Sequence, residues 1–75
     1  MNFQEFIYSK GVTQTQLGDA IGRCRAHVSL WATGESFPRP KSINKIVQGF
    51  AKLGIAVTYD EVYASLLTTK REKGE

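Results

Sequence analysis

Residues 13–34, which read TQTQLGDAIGRCRAHVSLWATG, hold the most informative set of reactive and hydrogen-bonding side chains in the chain. Arg23, Arg25 and His27 fall on alternate positions, with Gln14 upstream and Ser29 downstream. An arginine presents a rigid fork of donors that fits paired acceptors on phosphate or on a base edge, and Gln and Ser add neutral hydrogen bonds. This is chemistry for gripping an anionic surface rather than for breaking a bond. Cys24, His27 and Asp19 are the candidates for nucleophile, base and orienting group, but they crowd around one tight turn and cannot converge on a single substrate. No catalytic residue is expected, and the chain does not read as an enzyme. A single cysteine excludes an internal disulfide, and no CxxC or Cys/His cluster exists to bind a metal. No metal, cofactor or small-molecule ligand is expected, and Cys24 reads as an incidental small residue rather than a redox sensor.

Charge points the same way as side-chain type. Ten Lys and Arg against seven Asp and Glu give a net charge of +3 and a pI near 9.3. Residues 21–46 carry Arg23, Arg25, Arg39, Lys41 and Lys45 against Glu35 alone, so the middle of the chain is locally basic. A polyanionic partner fits this run, as does an ordinary solvated surface. Seventy-five residues leave room for one small domain, and 41% hydrophobic with 23% charged residues is the balance of an ordinary globular chain. Gln4 and Glu5 interrupt the apolar residues at the start, so neither a signal peptide nor a membrane span is expected and the chain is placed in the cytoplasm.

The elements that must position these residues read as helices. Asn2 with Glu5 fits a capping box, stapled by Met1 and Phe6, and predicts a helix over 2–9 that stops at Gly11. Thr13 with Gln16, stapled by Val12 and Leu17, opens a second helix over 13–21, broken by Gly22. Val28 and Trp31 resume a helical spacing over 24–33, ended by Gly34. Pro38 and Pro40 force a loop, after which Pro40 can start a helix over 40–53 along the apolar positions Ile43, Ile46, Val47 and Phe50. Thr58 with Glu61 begins a fifth helix over 58–68, and the charged residues 69–75 read as a disordered tail. The expected fold is all-α, five short helices over residues 1–68. Its core would be Phe3, Phe6, Ile7, Leu17, Ile21, Val28, Trp31, Ile43, Ile46, Val47, Phe50, Val62 and Leu66, with Trp31 and the phenylalanines buried rather than serving as stacking platforms.

Two helices separated by a glycine turn must cross steeply, and Gly18 is the small residue that lets them approach. Leu17, Ile21, Val28 and Trp31 fill the angle between them. The outer side of the second helix then presents Arg25, Ala26, Ser29 and Leu30, and small side chains at such positions let a helix sit deep in a groove. Here the sequence resembles the helix-turn-helix family of lambdoid phage Cro and repressor proteins, also called the xenobiotic-response-element family. The likeness spans residues 13–54: Thr13-Gln14, Leu17, the small Gly18, the turn residue Gly22, Val28, Trp31 and Gly34 stand in the family's register.

The resemblance implies a lambda-repressor-like DNA-binding domain, with base contacts from Arg25, Ala26, Ser29 and Leu30. It implies phosphate contacts from Gln14, Arg39 and Lys41; Arg23 and His27 join these as further candidate phosphate contacts. Arg23 departs from the pattern, standing where the family has an aliphatic residue under the turn, so its side chain is expected to swing out. Cys24 replaces the usual Ser or Thr cap, and the apolar pair Ala32 and Ile7 stands where the family has an ion pair. The expected activity is that of a Cro-sized phage or prophage transcriptional repressor. It would bind palindromic double-stranded DNA as a homodimer, in the cytoplasm of a bacterial host and on its nucleoid, with no effector or cleavage domain. Tyr59 and Tyr63 fit either a dimer seam or packing within the monomer. Two other readings fit the same residues: an antitoxin of a toxin–antitoxin pair with this fold, and a protein-interaction module of helix-turn-helix ancestry, to which the apolar Leu30 is suited.

Overall fold

Capping chemistry sets where the helices begin. In the computed structural model, which describes residues 1–23 and 25–74 with the side chains of 73 and 74 excepted, the Asn2 side chain accepts from the Glu5 N–H (2.8 Å) and Glu5 accepts from the Asn2 N–H (3.0 Å). This reciprocal box starts α1 (Phe3–Ser9), and the same exchange between Thr13 and Gln16 starts α2 (Gln14–Ala20). There follow α3 (Arg25–Thr33), α4 (Pro40–Lys52) and α5 (Tyr59–Gly74). Pro40 occupies the first turn of α4, where its missing N–H costs no hydrogen bond. At α5 the Thr58 hydroxyl accepts from the Glu61 N–H and donates to the Glu61 carboxylate. No strand occurs among the described residues, and no helix is long and apolar enough to cross a membrane.

Helix α5 packs against α1, α3 and α4, and α2 packs against α3 and α4, so each short helix is held by at least two others. The core is Phe3, Phe6, Ile7, Val12, Leu17, Val28, Trp31, Ile43, Ile46, Phe50, Val62 and Leu66. Within it Phe6 and Phe50 meet edge to face at 5.7 Å, a favoured aromatic geometry. Two expected core residues, Ile21 and Val47, are only half-buried at its edge, whereas Val12 lies within it. Val12 is drawn inward because its N–H donates back to the Ile7 carbonyl (3.1 Å), folding the chain beneath the end of α1.

The expectation that residues 69–75 form a disordered tail is corrected by the structure as far as it describes them. Helix α5 continues to Gly74, and Glu75 lies outside the described residues. The reason is a clasp on the other end of the chain. The Thr69 hydroxyl, 5% exposed, accepts from the backbone N–H of Phe3 (2.8 Å) and donates to the Ser65 carbonyl (3.1 Å). Glu72 accepts from the Asn2 side chain (3.3 Å). The first N–H of a helix has no partner within that helix, so α5 completes α1 while α1 holds the last turns of α5.

Candidate nucleic-acid interface

The turn between α2 and α3 is built by one residue that tolerates a left-handed backbone. Gly22 has φ +72°; its N–H donates to the Asp19 carbonyl (3.3 Å) and the next N–H, of Arg23, donates to the Gly18 carbonyl (2.9 Å). This double bond pattern ends α2 sharply and turns the chain toward α3 within a few residues. Any side chain with a Cβ would be strained at Gly22. The end of α2 is further held from α4, where the Lys52 ammonium donates to the Ala20 carbonyl (3.2 Å). Helix α4 also approaches α2 closely: a Cβ placed on Gly49 would stand 2.5 Å from the Ile21 Cγ2 methyl. Gly18, the residue expected to allow close approach, is buried as well.

Helix α3 is divided along its length. Val28 is fully buried and Trp31 is 5% exposed, three residues apart on one side, with Ala32 packed against the same core. Arg25, Ala26 and Leu30 are exposed and Ser29 is half-buried. All four residues expected to read base edges therefore keep an accessible surface on a helix whose other side is locked inward. Arg23 and His27 are also exposed, one in the turn and one on the first turn of α3. Cys24, the expected cap of this helix, lies outside the described residues.

Arg25 lines a shallow open cleft together with Tyr8, Gln14 and Thr15, so the start of α3 stands beside the end of α1 and the start of α2. Gln14 is half-buried there, and one N–H of its side-chain amide donates to the Gln4 carboxamide oxygen (2.7 Å). That bond engages one of the two N–H groups of the amide. Tyr8, 60% exposed, was not among the expected site residues. Its signal lay in the spacing: α1 turns Phe3, Phe6 and Ile7 inward, which leaves Tyr8 as an aromatic side chain off the apolar face of its own helix.

Arg39 and Lys41 flank Pro40 at the start of α4 and are exposed. The loop leading to them folds back on α3, because the Ser36 N–H donates to the Leu30 carbonyl (3.2 Å). Phe37 then packs edge-on against Tyr63 at 5.9 Å, Tyr63 stacks on Tyr59, and the Lys70 ammonium sits over the Phe37 ring at 5.5 Å. The two tyrosines thus pack within the monomer, yet Tyr63 keeps 39% of its surface exposed. Ile7 is buried and Ala32 packs against the same core, where α1 and α3 meet. Among the described residues no group of three His, Cys, Asp or Glu could hold a metal ion. No protein-family model, curated protein or solved structure matches the chain.

Proposed function

We propose that this chain is a sequence-specific, double-stranded DNA-binding transcriptional regulator of the Cro type, in which α2 and α3 act as a helix-turn-helix. The observation that carries the reading is the division of α3, with Val28 and Trp31 buried on one side, Ala26 and Leu30 open on the other, and Arg25 exposed at the first residue of the helix. A helix about 10–12 Å across with small side chains on its outer flank fits the major groove of B-DNA, which is about 12 Å wide. Arg25 would pair with the O6 and N7 acceptors of a guanine, the commonest specific contact, while Ala26, Ser29 and Leu30 meet neighbouring base edges and thymine methyls. Gln14, Arg23, His27, Arg39 and Lys41 would hold the phosphates on either side.

One such helix covers only a few base pairs. Useful affinity therefore calls for two copies on a palindrome, with half-sites about 34 Å apart. Selection from random duplexes at two salt concentrations tests the reading. An enriched palindrome, bound more weakly as salt rises, is the expected result; recovery of unenriched duplexes at both concentrations would contradict it.

A further inference from the structure

Two side chains on one flank of α1 reach toward the start of α2. Gln4 and Tyr8 are four residues apart, so they stand one above the other, off the face that buries Phe3, Phe6 and Ile7. The Gln4 carboxamide holds the Gln14 side chain (2.7 Å), and Tyr8 lines the open cleft that Gln14, Thr15 and Arg25 complete. With 60% of its surface exposed, Tyr8 belongs neither to the core nor to its half-buried edge. The geometry points to Tyr8 as a further contact residue for duplex DNA, its hydroxyl donating to a backbone phosphate seated in the cleft beside Arg25.

The chemistry of the lining selects the ligand. A phenol hydroxyl, a threonine hydroxyl, a carboxamide and a guanidinium can all donate, and none of the described residues that line the cleft is a carboxylate. The group that suits such a lining is an anion rich in acceptors. Glu5, the acid of α1, is engaged at the other end of its helix with the Asn2 N–H. Place then selects a phosphate over a base edge. Helix α3 is the element proposed to enter the groove, and Arg25 is its first residue. Tyr8 stands on a different helix, at the side of that entry, where the strand backbone runs. A phosphate contact there carries no sequence information, but it fixes how α3 is seated on the duplex.

This inference rests on the DNA-binding reading but holds for any duplex, because a phosphate contact is indifferent to sequence. Fluorescence anisotropy compares Tyr8→Phe with the wild-type chain, on the most enriched duplex and on a scrambled one, across a series of salt concentrations. Tyr8→Phe removes one exposed hydroxyl and is expected to weaken binding to both duplexes alike by about 3- to 10-fold, with an unchanged melting temperature. The salt slope should stay that of wild type, since a neutral donor displaces no counterion. Tyr63→Phe, at a second exposed tyrosine that does not line the cleft, should bind as wild type. Replacing the phosphates of the enriched duplex one at a time by methylphosphonate should erase the difference between Tyr8→Phe and wild type at one position. Wild-type affinity in Tyr8→Phe, or a difference that survives at every phosphate, would overturn the contact and leave the operator reading standing. An equal loss on both duplexes by a chain that prefers neither would count against the operator reading alone. A chain that binds neither duplex would overturn both.

Discussion

The α2–α3 pair and the α1–α5 pair are held together by different means. Helices α2 and α3 are neighbours in sequence, joined through the Gly22 turn, and their contact is filled by Leu17, Val28 and Trp31. Helices α1 and α5 lie at opposite ends of the chain, and their clasp is made by hydrogen bonds spanning 66 and 70 residues, from Phe3 to Thr69 and from Asn2 to Glu72. The first pair is specified by local pattern and apolar volume and presents the candidate reading surface. The second is specified by polar complementarity between distant segments and presents none of the expected contact residues. Separating site from clasp in this way lets the stability of one be altered without touching the chemistry of the other.

Breaking the first pair should have the largest effect. Trp31→Ala removes a buried aromatic from between α3 and the core and is expected to cost about 3–5 kcal/mol, a large share of the stability of so small a domain. Circular dichroism should show a much lower melting temperature, with DNA binding lost alongside; an unaltered melt would mean that α3 is not held by its inner side. Thr69→Val keeps the shape of the second pair but leaves the Phe3 N–H without its acceptor, at an expected cost of about 1–3 kcal/mol. The same melt should detect that loss, while operator affinity measured well below the melting temperature stays at the wild-type level. Affinity falling in step with stability would show that clasp and site are not separate. The smallest effect is expected at Lys41, at the start of α4 and outside both pairs. Lys41→Ala should weaken binding to all duplexes alike and flatten the salt dependence by about one unit. Lys52, engaged with the Ala20 carbonyl, is the comparison residue, since Lys52→Ala should leave the slope unchanged.

The same contrast accounts for what could be read from sequence. Capping boxes at Asn2/Glu5 and Thr13/Gln16 are four residues long, and the spacing of Val28 and Trp31 is a single helical turn, so each was visible in a short window and is present in the structure. The exposure of Ala26 and Leu30 follows from the same periodicity, whereas Arg25, three residues before Val28, is exposed as the first residue of α3. Thr69 was not legible, because a threonine in a run of charged residues gives no sign that a backbone N–H from the other end of the chain reaches its hydroxyl. Gly49 reads locally as a penalty within a helix, and only the packing of α2 reveals the Ile21 methyl where its Cβ would be. Val12 was legible as a staple for Leu17 but not as a member of the central core, since it sits between helices, and the Gln4–Gln14 bond that orients one expected phosphate contact joins two different helices.

The central claim is that the open flank of α3 reads duplex DNA through Arg25. Its most direct test is the ratio of affinities for a selected operator and a scrambled duplex, measured for the wild-type chain and for Arg25→Ala at one salt concentration. The account predicts a high ratio for wild type and one reduced by about 5- to 150-fold in the variant, the equivalent of 1–3 kcal/mol, with the melting curve unchanged. The same ratio in both proteins would contradict it.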